Sequence, residues 1–195
     1  MNEPESPADL PLIELPDRQA WEAWLDQNHL SSPGVWLKLA KKGAPRATVT
    51  QAEAIEAALC FGWIDGQIGR LDESFYRQRF TARRPRSKWS QLNCRKALDL
   101  IDRGLMRPAG LEQVRRAQED GRWDAAYEPQ STAAIPPDFA AALAASPDAE
   151  AFFATLTGVR RYAFLYRIQD AKRPETRARR IARFVELLAE GRTLN

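Results

Sequence analysis

The sequence has little of what most catalytic sites are built from. Among its 195 residues there is one histidine, His29, and there are two cysteines, Cys60 and Cys94. Two cysteines are too few for a disulfide framework, so we expect free, buried thiols in a reducing compartment. No apolar run approaches the roughly 18 residues that span a bilayer, so we predict no membrane insertion. The first seven residues, MNEPESP, lack the basic and apolar regions of a secretory signal, which indicates a cytoplasmic protein.

The familiar catalytic and cofactor-binding signatures are also missing. The chain has no Gly-x-Ser-x-Gly elbow, no Walker A loop, no Gly-x-Gly-x-x-Gly after a strand and no His-Glu-x-x-His. Cys60 and Cys94 do not form a Cys-x-x-Cys pair, so we expect no metal site and no cofactor. His29 lies at the predicted end of a helix, where a structural role is favoured over catalysis. The sequence therefore assigns no catalytic residue.

Charge is unevenly distributed, although the formal net charge is only +3. Residues 70–96 carry nine basic side chains against Asp72 and Glu73, and residues 159–195 carry ten against four acidic ones. Residues 1–30, by contrast, carry seven acidic side chains and one basic one. The two basic blocks can attract anions, or they can face the acidic segments or be simply solvated.

Alternation and helical spacing predict an α+β fold. Residues 1–16, which contain four prolines, are expected to form a flexible leader. Residues 17–195 are expected to form a single domain, with a helix and a small sheet of about three strands within about 33–85 and helices over about 87–192. Thr50 and Glu53 form a capping box at the start of one helix, and Gly62 is placed to end it.

The strand predicted directly after Gly62 carries the first candidate site residues. In the stretch WIDGQI, strict alternation places Trp63 and Asp65 on one face and Ile64 and Ile68 on the other. An aspartate on the same face as a tryptophan is either exposed to water or needs a buried polar partner.

The second candidate cluster is basic and runs from the end of a strand to the start of a helix. Free backbone amides and guanidinium groups at such a corner can hold an anion. We expect Asp65 to pair with Arg83 or Arg84, and we expect tryptophan rings to wall a site for a small polar ligand. The predicted ligand-binding residues are Trp63, Asp65, Arg79, Arg83, Arg84, Lys88, Trp89 and Asn93. A structural salt bridge under two packed tryptophans is one alternative, and contact of residues 77–96 with nucleic acid is another.

Several longer strings carry a resemblance to a known family. They are GVWL at 34–37, ALCFGWIDG at 58–66, FTARRP at 80–85, SKWSQLN at 87–93, MRPAG at 106–110, DGRW at 120–123 and AKRPETR at 171–177. They resemble the bacterial YdeI/OmpD-associated (OmdA) family over nearly the whole chain beyond the leader. The resemblance implies a bacteriocin-protection or porin-associated protein, linked to tolerance of cationic antimicrobial peptides and to the cell envelope. It carries over no reaction, cofactor or catalytic residue.

Our leading hypothesis is a bacterial stress-tolerance protein that binds a small anionic or polar ligand, or a protein partner, without catalysis. Because like charges repel, a basic protein is poorly suited to bind cationic peptides directly, so we expect an indirect, cytoplasmic route. One alternative is an enzyme with Asp65 as general acid or base, which requires a raised pKa. The other is a nucleic-acid-binding module that uses residues 77–96 and 172–183, with affinity that falls steeply with salt.

Overall fold

The computed structural model describes residues 10–194. Its four strands are β1 (Leu12–Glu14), β2 (Val35–Ala40), β3 (Trp63–Arg70) and β4 (Phe75–Ala82). Its helices are α1 (Arg18–Asn28), α2 (Gln51–Cys60), α3 (Gln91–Asp102), α4 (Pro108–Glu119), α5 (Pro137–Ala144), α6 (Pro147–Thr155), α7 (Gly158–Gln169) and α8 (Pro174–Ala189). The strands all lie in the N-terminal part and the C-terminal half is mainly helical, so the predicted α+β class is confirmed.

The chain separates into two compact units. The sheet unit consists of Met1–Trp89 and Asn93–Ala125, and the helical unit consists of Ser90–Leu92 and Ala126–Asn195. The sheet unit therefore includes α4 and most of α3, whereas the sequence predicts that both belong to the helical part over about 87–192. The expectation that residues 17–195 form a single domain stays a prediction.

The sheet has the order β1-β2-β4-β3, one strand more than predicted. Strand β1 pairs with β2 in parallel, and the other two pairings are antiparallel. The predicted leader is wrong at its C-terminal end, because Leu12–Glu14 form a strand and Trp36 N donates to Pro11 O at 2.8 Å. Residues 1–9 of that leader lie outside the described residues. A three-residue strand leaves almost no alternation in the sequence, and its partner β2 lies some twenty residues away.

The first two helices each begin at a residue whose side chain caps the helix. The side chain of Asp17 accepts a hydrogen bond from Ala20 N at 2.8 Å and begins α1. Thr50 and Glu53 make both hydrogen bonds of the capping box at α2. Gly62 follows α2 with a φ of +73°, a conformation that glycine adopts at little cost, so the chain can leave the helix and enter β3 at once.

The two faces of the sheet differ in chemistry, because paired residues on neighbouring strands share a face. The core face contains Val35, Leu37, Leu39, Gln78 and Phe80, all at most 1% exposed. It packs against α1, where the ring of Trp21 lies 5.5 Å from that of Phe80. The opposite face, called the arginine face, contains Trp36, Lys38, Phe75, Arg77 and Arg79.

A bulge in β3 changes the predicted alternation. Asp65 of β3 pairs with Phe80 of β4. Gln78 lies two residues before Phe80 on β4, so regular pairing would place it opposite residue 67. It pairs with Ile68 instead. One additional residue of β3 is therefore accommodated at Gly66-Gln67. The expectation that Ile64 and Ile68 share a face is wrong for this reason, and Ile68 is 60% exposed.

Helix α4 approaches α2 closely at a glycine. A Cβ atom added at Gly110 would overlap Cys60 O and would lie 2.7 Å from Leu59 O. Both neighbours are backbone atoms at the end of α2, which cannot move aside without breaking the helix terminus. The contact therefore requires glycine at this position.

The helical unit is held together by aromatic rings from four helices. Phe139 of α5 meets Phe153 of α6 edge to face at 5.3 Å, and Phe164 of α7 meets Phe184 of α8 in the same way at 5.1 Å. All four rings are buried in one apolar cluster. Such pairs add about 1 kcal/mol beyond the apolar area they remove from water.

Both cysteines are free and buried in the sheet unit, as predicted. Burial raises the pKa of Cys60 and raises that of Cys94 to about 11. The thiols therefore remain protonated at neutral pH, and they contribute to packing as small apolar side chains.

Candidate functional site

Asp65 lies at the centre of a polar cluster in the sheet unit. Its Oδ2 accepts a hydrogen bond from Gln78 Nε2 at 3.2 Å. Gln78 Oε1 in turn accepts from Gln51 Nε2 at 2.9 Å. Gln78 is 1% exposed, so this amide connects the surface of α2 to the carboxylate on β3 through the sheet interior. A buried polar side chain needs such partners to offset its loss of water.

The pKa of Asp65 is raised above its ordinary value. Burial is the largest cause, because it penalises the charged form. A backbone hydrogen bond, the positive charge of Arg83, and hydrogen bonds from Asn93 and Gln78 act in the opposite direction and are outweighed. Asp65 thus binds a proton more readily than a solvent-exposed aspartate does.

Arg83 is buried close enough to this carboxylate for its positive charge to act on it. It is 6% exposed, and its Cζ lies 3.7 Å from the centre of the Trp89 ring. Its Nη1 donates to Lys88 O at 3.1 Å, and its backbone N donates to Gly62 O at 3.0 Å. Trp89 is 2% exposed and its ring lies 5.0 Å from that of Trp123. The guanidinium group therefore stabilises the turn between β4 and α3 as well as the charge of Asp65.

The structure brings together four of the predicted site residues and places the other four elsewhere. Asp65, Arg83, Trp89 and Asn93 form the cluster. Trp63 is 1% exposed, packs against the ring of Trp24 at 5.7 Å and donates from Nε1 to His29 O. That environment places the Trp63 ring in the core, away from solvent.

The remaining predicted residues are three cations in different surroundings. Arg79 lies on the arginine face, because it alternates with Phe80 and pairs with Trp36. Arg84 and Lys88 are exposed on the turn between β4 and α3. Arg83 and Arg84 are consecutive, yet one is buried and the other is exposed. Ligand binding by each of these side chains stays a prediction.

Gln78 belongs to the cluster but is not among the ligand-binding residues that the sequence predicts. The signal was present, because β4 alternates and Gln78 shares the register of Tyr76 and Phe80. A polar side chain in an apolar register of a strand indicates a buried polar network.

Between residues 10 and 194, no group of three or more His, Cys, Asp or Glu side chains is placed to hold a metal ion. In the same range, no helix combines the length and the apolarity needed to cross a membrane.

Comparison with known families divides the chain into two matched segments. Residues 13–113, just over half of the chain, match a family described as a domain of unknown function, DUF8412. The chain belongs to this family. Residues 132–191 match a second family, described as Bacteriocin-protection, YdeI or OmpD-Associated. Searches of the curated proteins and of the solved structures find no match.

The second match confirms the predicted YdeI/OmpD-associated resemblance for the C-terminal part. It lies within the helical unit and contains the string AKRPETR at 171–177. Most of the other strings that carried the resemblance, including WIDG at 63–66, lie instead within the segment matched by DUF8412. The Asp65 cluster therefore belongs to the segment whose family description names no function.

Proposed function

We propose that the sheet unit binds a small anionic or polar ligand at the cluster of Asp65, Gln78, Arg83 and Asn93, without catalysis. One observation supports this proposal. Polar side chains from β4 and α3 surround the carboxylate of Asp65 on β3, and Asp65 is only half-buried. Scaffolds that hold a half-buried carboxylate with amide donors suit recognition of a ligand with its own hydrogen-bond donor. The exposed Arg84 next to Arg83 would attract the anionic part of such a ligand.

The proposed cellular role is stress tolerance in the cytoplasm. The match of residues 132–191 to the bacteriocin-protection family supports a tolerance role. Two free, buried cysteines suit a reducing compartment. A protein that binds a metabolite there would act indirectly on the envelope, and the helical unit would supply the contact with a protein partner.

The test is a panel of sugar phosphates, nucleotides, organic acids and amino acids, measured by thermal shift and then by calorimetry. A ligand at 100 times its dissociation constant stabilises the folded state by about 2.7 kcal/mol. We expect Asp65→Asn to abolish the shift, because the amide no longer offers the charged acceptor. Arg84→Ala should weaken binding of anionic ligands only. Arg83 is unsuitable for this test, since its removal would leave Trp89 without its stacked partner.

Matched controls separate a site effect from a charge effect. Asp26→Asn removes one exposed carboxylate on α1, and Arg95→Ala removes one exposed cation on α3. Both should retain the wild-type ligand shift. For a ligand that has no phosphate group, an equal shift in wild type and Asp65→Asn would contradict the proposal.

A second candidate function is acid–base catalysis by Asp65. The raised pKa favours it, because a general acid works best when its pKa approaches the operating pH. Incubating each bound ligand with the protein and following it by NMR distinguishes the two. Turnover that disappears in Asp65→Asn would replace binding by catalysis. A thermal shift given by oligonucleotides alone would instead favour the nucleic-acid alternative.

A further inference from the structure

The arginine face carries more positive than negative charge. Glu14 on β1 is the carboxylate that pairs there, and Lys38 Nζ lies 2.9 Å from its Oε2. Arg46 contacts both of its oxygens, with Nη2 2.7 Å from Oε2. Glu14 is thus fully engaged by these two cations. Among residues 10–194, Arg77 and Arg79 form no hydrogen bond or ion pair through their guanidinium groups, and the Nε atom of each is buried.

The two guanidinium groups lie across β3 at its two glycines. A Cβ atom added at Gly69 would lie 3.0 Å from Arg77 Nε, and one added at Gly66 would lie 3.2 Å from Arg79 Nε. A side chain at either position would push the neighbouring arginine side chain away by a few tenths of an ångström. The glycines of β3 therefore leave room for both arginine side chains to lie close against the strand.

Arg77 is supported from a second side by an aromatic ring. Its Cζ lies 4.4 Å from the centre of the Trp36 ring, and Trp36 is 6% exposed. A guanidinium group that lies over the face of an aromatic ring is attracted to the ring, and its N–H groups can still donate to a ligand at the ring edge. The group is thus oriented before any ligand arrives, which lowers the entropy cost of binding.

We propose that Arg77 and Arg79 form an anion site on the arginine face that binds a phosphate group. The two residues are separated by one residue on β4 and lie about 7 Å apart along the strand, so one tetrahedral oxyanion can reach both. Planar guanidinium groups bind phosphate through paired hydrogen bonds. Two like charges held side by side without a counter-ion repel each other, and a bound dianion relieves that repulsion.

This site is separate from the Asp65 cluster. Arg79 and Asp65 point to opposite faces of the sheet, because Asp65 pairs with Phe80. The phosphate site therefore removes Arg79 from the predicted ligand site and pairs it with Arg77, which is not among the predicted ligand-binding residues. Neither proposal depends on the other.

The test is titration of the full chain with inorganic phosphate, followed by NMR of the arginine Nε–Hε groups and by calorimetry. We expect saturable shifts at Arg77 and Arg79. The double substitution Arg77→Gln/Arg79→Gln should weaken phosphate binding about tenfold or more, because charged hydrogen bonds are lost. Arg95→Gln/Arg160→Gln removes the same charge from two exposed helix positions and should change the affinity by less than about twofold. Equal losses in the two double variants would overturn the proposal.

A charge-neutral variant tests the geometry directly. Gly66→Ala and Gly69→Ala keep the net charge but displace the guanidinium groups, so each should weaken phosphate binding about threefold. Unchanged affinity in both alanine variants would show that the glycines do not position the site.

Two further arms identify the source of the phosphate. Glucose 6-phosphate binding with similar affinity would support a site for phosphate esters, and binding of inorganic phosphate alone would support a site for the free ion. Binding of an oligonucleotide without any binding of inorganic phosphate would overturn the proposal in favour of nucleic acid. Asp65→Asn should retain phosphate binding, which keeps failure of this proposal distinct from failure of the ligand site at Asp65.

Discussion

The two faces of the four-stranded sheet shift the pKa of a carboxylate in opposite directions. On the core face, burial raises the pKa of Asp65, although two amides and Arg83 oppose that effect. On the arginine face, hydrogen bonds from Arg46 and Lys38 lower the pKa of Glu14 to about 2. The residue types are chemically alike, and the two edge strands of the sheet, β3 and β1, hold them. The difference teaches that burial on one face and cationic partners on the other shift the pKa of a carboxylate in opposite directions.

Cations on the two faces show the same contrast. Arg83 stacks on Trp89 and is 6% exposed, so its charge acts on Asp65 and on the turn. Arg77 stacks on Trp36 but remains half-buried, so its charge is presented to solvent. The same kind of arginine–tryptophan contact therefore buries the charge of Arg83 in the Asp65 cluster but leaves the charge of Arg77 accessible on the arginine face.

The largest expected effect tests whether the core face carries most of the stability. Phe80 is fully buried against α1, so Phe80→Ala should destabilise the sheet unit by about 4 kcal/mol. Phe75 on the arginine face is covered by the flexible side chains of Lys38 and Arg46, so Phe75→Ala should cost about half as much. Urea unfolding followed by circular dichroism measures both. Equal costs would remove the distinction between the faces.

A smaller effect is expected when the amide connection to Asp65 is broken. Gln78→Leu leaves Asp65 and Gln51 without their shared partner, and it should cost about 2 kcal/mol. The substitution should also raise the pKa of Asp65 further. Gln78→Leu in an Asp65→Leu background should cost much less, since the carboxylate is gone. A double-mutant cycle measures the coupling, and a coupling energy near zero would show that Gln78 is only a packing residue.

The smallest effect is a difference in pH dependence between the two carboxylates. The folded pKa of Asp65 is raised, so its favourable contribution is present below its ordinary value of 3.8 and is lost as pH rises through the folded pKa. Glu14 behaves oppositely: its contribution is present above 4.5 and is lost as pH falls towards about 2.

Relative to wild type, Asp65→Asn should therefore gain stability as pH rises from about 3 to about 7, and Glu14→Gln should lose it. Unfolding in urea at several pH values measures both slopes. The same sign for the two variants would contradict the environments described for them.

Much of the fold can be predicted from short-range sequence patterns, such as helix caps and turns. The capping box of Thr50 and Glu53, the stop at Gly62 and the hairpin around Asp72 depend on residues within a few positions of each other. Asp72 Oδ1 accepts from Ser74 N at 2.8 Å and from Phe75 N at 2.7 Å, as a polar turn requires. Such features need no knowledge of distant partners.

The parts that were not predicted depend on distant partners. Strand β1 forms by pairing with β2, and the three residues Leu12–Glu14 contain no local pattern that predicts this pairing. The bulge at Gly66-Gln67 moves Ile68 to the other face, which strict alternation cannot anticipate. Arg83 and Arg84 part at the end of β4, where alternation ends and only tertiary packing decides which one is buried.

The two free cysteines can report local unfolding of the helices that carry them, α2 and α3. Thiol reagents attack the thiolate, and both Cys60 and Cys94 are buried with raised pKa values. In the closed state they are therefore protected from alkylation twice, by lack of access and by protonation. The rate of alkylation at Cys60 and Cys94 therefore reports how often α2 or α3 separates from its neighbours. A cysteine introduced at the surface would react much faster than either.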